Sequence, residues 1–257
     1  MISNSFHQSI VTHMFVGSGT LLNVAAIVIG SGIGITLGNR LRSNSQKLIT
    51  DVLGLVTLLG AASALAPLWE ESFNSKIPKS TGLLLILGSM LIGGLIGSAL
   101  KLEKRLDSFG ENLRKRFRAS EESPFIEGFV SASLLFVIGP LAILGSISDG
   151  AGQGIEQLIL KSSLDFFAAM AFASTLGWGV MASIIPVAIY QGLWTIAGFS
   201  LGNVLDQYQI DAMTICGGLM LIAIALRLLD LKRIAVGNLL PALFLAPVLA
   251  TLLNTFL

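Results

Sequence analysis

Stretches of about twenty apolar residues recur along this chain, each near the ~20 that cross a bilayer. Short segments that gather nearly all of the charge separate them. The pattern predicts eight helical spans, at roughly 20–38, 52–68, 81–100, 128–147, 158–178, 181–201, 212–229 and 235–256. The predicted fold is an all-α polytopic bundle in one transmembrane domain, with no room for a separate soluble one. Connections after spans one, three and seven carry Arg40, Arg42 and Lys47, seven basic residues between Lys101 and Arg118, then Lys232 and Arg233. Twelve of the 16 basic residues therefore fall on one side. The positive-inside rule makes that side cytoplasmic and leaves both termini outside. Gly177-Trp178-Gly179 allows only a tight hairpin between spans five and six, unless span six is re-entrant.

Within this pattern the chain repeats itself. Gly34-Ile-Thr-Leu-Gly-Asn-Arg-Leu41 returns as Gly198-Phe-Ser-Leu-Gly-Asn-Val-Leu205, displaced by 164 positions. The register continues without a gap through Thr50 and Thr214, Gly54 and Gly218, Leu55 and Leu219, and Ala61 and Ala225. Over positions 34–61 there are nine identities in 28. The loops diverge in sign, Arg42 facing Asp206 and Lys47 facing Asp211, so the copies are expected on opposite sides of a membrane. That is an inverted-topology repeat, a recurrent design of secondary transporters. The units run from about 17–100 and 181–257, with spans at 125–178 between them and a basic linker at 101–124. Spans four and five then pair with each other, Ser133-Leu-Leu-Phe136 with Ser163-Leu-Asp-Phe166, which would bring Ser133, Gly139, Ser163 and Asp165 nearest the centre.

Composition agrees with a membrane setting. Mean hydropathy is +0.81 and charged residues make up 12%, against ~25% in a soluble domain. A net charge of +1 gives no reason to expect nucleic acid. Residues 1–16 lack the basic start of a cleaved signal peptide. Cys216, the single cysteine, lies in an apolar run and reads as a small buried residue. Leu102, Leu106, Phe109, Leu113 and Phe117 recur at helical spacing among basic residues. They predict either a surface helix on an anionic leaflet or a solvated linker helix.

Glycine and serine mark helix contacts. Gly30, Gly34 and Gly38 in span one, and Ser89, Gly93 and Gly97 in span three, form small faces expected to pack on each other. Gly30-Ser-Gly-Ile-Gly34 follows no strand, which argues against a nucleotide loop, and no cofactor is implied.

Charge inside a bilayer is costly and usually marks a pathway. Lys161 and Asp165 lie one helical turn apart, either as pathway residues or as an ion pair anchoring the end of span five. Arg227 and Asp230 read as an interfacial pair. Gly139-Pro140 falls in the middle of span four, where proline removes a donor and clashes with the preceding turn. The helix should kink, or break and aim a new N-terminus into the interior. Asn23, Tyr190, Gln191 and Asn238 are further polar groups within spans. No catalytic constellation appears: His7 and His13 precede span one without metal-ligating neighbours, and a Ser-Lys arrangement of Ser131 or Ser133 with Lys161 is the only nucleophilic option. Neither an enzyme nor a metal site is expected.

Several segments carry a resemblance: Gly19-Thr-Leu-Leu-Asn23, Ala132-Ser-Leu-Leu-Phe136, Ala142-Ile-Leu-Gly-Ser-Ile-Ser-Asp-Gly150, Lys161-Ser-Ser-Leu-Asp165, Ala173-Ser-Thr-Leu-Gly-Trp-Gly-Val180, Tyr190-Gln-Gly192 and Val236-Gly-Asn-Leu-Leu-Pro-Ala242. As an ordered set they resemble the YqgA/YdfK-like family of bacterial membrane proteins of unknown function. The resemblance implies a bacterial inner-membrane location and supplies no activity. The family pattern after Phe136 reads Cys-Val-Gly-Ala-Met, where this chain has Val137-Ile-Gly-Pro-Leu141, so a break that depends on Pro140 is not general to it.

The leading expectation is a transporter or channel for a small solute or ion, with the bilayer as partner and a homo-oligomer as a further possibility. The alternative is a structural or regulatory membrane protein, and a membrane enzyme comes last. Candidate pathway residues are Asp165, Lys161, Ser133, Ser163, Gly139, Pro140, Asn23 and Gln191.

Overall fold

The structure is a computed structural model that describes residues 15–116, 118, 120, 124–202 and 205–256. His7, His13 and Phe117 lie outside these. All regular structure among the described residues is helical. Seven helices are long and apolar enough to cross a membrane, or eight with the bent pair Phe125–Val137 and Leu141–Gly150 taken as one span.

In chain order the helices are α1 (Ser18–Gly38), α2 (Ser43–Leu65), the short α3 (Glu71–Asn74), α4 (Lys79–Ala99), α5 (Leu102–Arg116), α6 (Phe125–Val137), α7 (Pro140–Gly150), α8 (Glu156–Leu176), α9 (Trp178–Ala182), α10 (Ile184–Leu201), α11 (Gln207–Leu228) and α12 (Leu240–Phe256). Span two begins at Asn44, well before the expected 52. Its first turns carry Lys47 and Asp51, polar residues that hydropathy assigned to the loop. Trp178–Ser200 is long enough to cross; among the described residues the bent pair is span four, not span six.

Span four breaks where the sequence places Gly139-Pro140. α6 stops at Val137 and α7 starts at Pro140, bent by 62° from it. Gly139 has φ +147°, a backbone that side-chain-bearing residues rarely adopt. Proline at the first helical position loses nothing, because that amide has no partner within the helix.

Small residues set the packing, as expected in lipid, where helices associate through close contact rather than hydrophobic burial. The partners differ from those predicted. A methyl group on Gly30, Gly34 or Gly38 would collide with the backbone of Phe166, Met170 or Ser174, so the small face of α1 lies on α8. Gly93 and Gly97 lie on Ala242 and Asn238, so α4 packs on α12. Both small faces are helix contacts, but not with each other. The reason is placement: α4 and α12 pair to one side of α11, away from α1.

α2 and α11 meet around the repeated glycines. Gly54 faces Leu229 and the carbonyl of Ala225, while Gly218 faces Leu65 and the carbonyl of Ala61. The same Gly-Ala-Leu set thus occurs on both sides of the contact. α10 packs on α7, and α9 on α6. α5 docks its Gly110 and Phe109 against Phe129 of α6, the two rings 5.8 Å apart, and buries Leu113.

Candidate functional site

α2, the α6–α7 break, α8 and α11 enclose a cavity of about 990 Å³. Gly139 and Ile138 form part of its wall, because the break turns that segment toward α2 and α8. At one end stand Glu70, Lys161, Asp165, Gln207 and Asp211; deeper in the wall are Leu53, Ile138 and Leu221.

Asp165 is the best-connected group at the site. Lys161 Nζ donates to its Oδ2 at 2.7 Å, and Asn23 Nδ2 donates to the same oxygen at 3.0 Å. Both charged side chains are at most 10% exposed. A buried ion pair repays its desolvation only when further hydrogen bonds complete it, and Asn23, reaching across from α1, supplies one. Asn23 Oδ1 has no hydrogen-bond partner among the described residues.

The other candidates scatter. Ser163 is exposed, its hydroxyl donating to the Ile159 carbonyl at 3.0 Å, so its expected place near the centre is wrong. Its neighbour Ser162 takes the inward face. One step along a helix turns a side chain by about 100°, enough to exchange the two. Ser133 is buried, but it lines a second, smaller cavity of about 270 Å³ between α6, α10 and α12, with Leu134, Val137 and Tyr190. It donates to the Phe129 carbonyl and does not join Asp165. Ser133 and Lys161 therefore line different cavities. Pro140 begins α7 at the break. Gln191 is fully buried, with neither amide atom hydrogen-bonded among the described residues. It lies one turn inward of Thr195, whose hydroxyl meets that of Thr20 at 3.4 Å.

Three groups escaped the sequence reading. Asp149, at the end of α7, accepts from the amides of Gly17 and Gly19, both at 3.1 Å. The start of α1 offers amides that its own helix cannot satisfy, and Asp149 supplies the acceptor from another element. Asp211 was visible only as a loop charge, yet it stands in α11 with Gln207 one turn earlier as its donor, at 2.8 Å. At the opposite end of the bundle, Glu103 of α5 accepts from Gly237 N at 2.6 Å while its own amide donates to Asn238 Oδ1 at 2.9 Å. Arg227 completes this knot, 3.7 Å from Glu103, in place of the predicted Asp230. Burial raises the Glu103 carboxyl above its usual 4.5, and the Gly237 amide opposes that shift. Reciprocal contacts between distant elements leave no spacing signal in the chain. Among the described residues no group of three or more His, Cys, Asp or Glu side chains is placed to hold a metal.

Residues 18–251 match the family described as protein of unknown function, DUF554. The uncharacterized membrane protein YdfK of Bacillus subtilis is 28% identical over 238 residues, spanning 93% of this chain and 97% of that protein. The uncharacterized protein YqgA of Escherichia coli is 31% identical over 232 residues, spanning 89% and 94%. No solved structure matches. With its long apolar helices, the chain is a multi-pass membrane protein.

Proposed function

We propose, for a chain that belongs to the DUF554 family, a transport pathway for a small solute or ion across the bacterial inner membrane, with no covalent chemistry on what it carries. One observation carries this reading: a large cavity in a membrane bundle has a helix break in its wall and a buried ion pair beside it.

The repeat supports the same reading. Under the displacement of 164, Gly54, Ala61 and Leu65 correspond to Gly218, Ala225 and Leu229, the residues that meet across the α2–α11 contact. A two-fold axis in the membrane plane would produce that reciprocity. Likewise, α1 on α8 corresponds to α10 on α7 if spans five to eight repeat spans four, one, two and three. In this arrangement the basic loops are cytoplasmic and both termini lie outside.

Thiol access tests the proposal. In a Cys216→Ala background, Ala142→Cys and Ala168→Cys, both in the cavity wall, should react with an impermeant charged thiol reagent. Phe199→Cys, on a side chain 70% exposed on the outer face of α10, should be shielded by lipid. If Ala142→Cys and Ala168→Cys stay as silent as Phe199→Cys, there is no aqueous pathway. Asn44→Cys and Gln153→Cys should label from opposite sides, and labelling from the same side would refute the topology.

A further inference from the structure

The cavity beside Asp165 has an unequal lining. Three carboxylates, Glu70, Asp165 and Asp211, face it with one ammonium, Lys161, a net charge of −2. Lys161 is held by Asp165 at 2.7 Å, so the uncompensated negative charge belongs to Glu70 and Asp211. Asp211 keeps the Gln207 hydrogen bond, and Glu70 lines the same cavity. Two carboxylates in a partly desolvated mouth favour a cation between them.

Beyond that end the wall offers little polarity. Thr57 and Thr214 donate their hydroxyls to Leu53 and Ile210 of their own helices. Leu53, Ile138, Phe172 and Leu221 complete an apolar surface. The cavity also opens sideways between α2 and α8: Val52, Val56, Leu164 and Phe167 line it, yet are 48%, 57%, 57% and 62% exposed. In a membrane that opening faces lipid.

We propose that this cavity binds amphipathic organic cations that enter from the bilayer. The positive centre rests between Glu70 and Asp211, and the hydrophobic body lies against Ile138 and Leu221. The proposal rests on the pathway reading above and names its substrate class. At about 990 Å³ the cavity matches the upper end of the ~300–1,000 Å³ range of small-molecule sites.

The test uses the purified full chain in detergent and radiolabelled tetraphenylphosphonium. Tetraphenylborate, of the same shape and opposite charge, serves as competitor. Saturable phosphonium binding that an equal concentration of the borate does not displace is the expected result. Glu70→Gln and Asp211→Asn should each weaken it about tenfold, the scale of one lost charged contact. Glu70 is exposed, so Glu70→Gln still decides the matter if Asp211→Asn fails to fold. Displacement by the borate, unchanged affinity in the variants, or no saturable binding would each end the proposal. Thiol access involves no cation, so an aqueous cavity without phosphonium binding overturns this inference alone.

Discussion

α2 and α11 share a repeated sequence but not an environment. Within their most apolar windows, 22% of the span containing α2 is buried against 78% of α11. The difference begins at their first residues. Asp206 caps α11 in a reciprocal capping box with Gln209, while Arg42, its counterpart, gives α2 no side-chain cap. It continues at their ends. Arg227 reaches Glu103 on α5, whereas its counterpart Ser63 only donates back to Leu59 of its own helix. The α4–α12 pair then covers α11 and leaves the flank of α2 open. The same Gly-Ala-Leu set meets across the contact between the two helices, and the rest of the bundle places one at the centre and the other at the rim. The cavity lies along that rim.

The largest test of this contrast is a pair of truncations. Met213→Ala, on a side chain 1% exposed in α11, should cost about 2–5 kcal/mol, as for other core deletions. Val56→Ala, on a side chain 57% exposed in α2, should stay within about 0.5 kcal/mol. Denaturant titration in mixed micelles reads both. A Val56→Ala cost near that of Met213→Ala would mean that something covers α2, with a second copy of the chain the first candidate.

The caps give a smaller effect. Asp206→Ala should cost α11 about 0.5–2 kcal/mol. Arg42→Asp, which introduces the missing acceptor at α2, should recover part of that amount for the other helix. Equal loss from both changes would show that end capping does not separate the two helices.

The smallest effect concerns the knot that ties α11 to α5. Burial holds the Glu103 carboxyl above 4.5 in the fold, so the folded state keeps this proton to higher pH than the unfolded chain. The resulting stability is present below 4.5 and is lost as pH rises through the raised value. Glu103→Gln keeps an acceptor for Gly237 and removes the titration. Melting temperatures at about pH 5 and about pH 7.5 should therefore differ less in the variant than in the parent. An unchanged difference would assign the pH dependence to other groups. Outside the bundle, the Arg114 hydrogen bond lowers the Glu111 carboxyl to about 2, so Glu111 stays ionised at both values.

Much of the fold was legible because lipid imposes simple rules. Apolar length gave the spans, and Gly139-Pro140 marked the kink or break, since proline removes a donor and its ring clashes with the preceding turn, while the glycine before it takes a φ of +147°. Small residues at four-residue spacing marked close contacts. Part of the site was legible too: one helical turn between Lys161 and Asp165 predicted their pairing, which the fold keeps.

Other features needed the tertiary structure. Which face of each helix turned inward did not follow from the pattern, because lipid is as apolar as the protein interior and a spanning helix shows little asymmetry. That is why Ser163 points outward while Ser162 points in, and why Gly34 meets Met170 and not Gly93. It is also why Asn23 joined Asp165, and Asp149 the start of α1, across more than a hundred residues of chain. By itself the sequence determined the spans, the break and the repeated glycines, since each depends on residues local in the chain. Only the tertiary structure decided the partners, because unsatisfied polar groups in a bilayer bond to whatever the packing brings within reach.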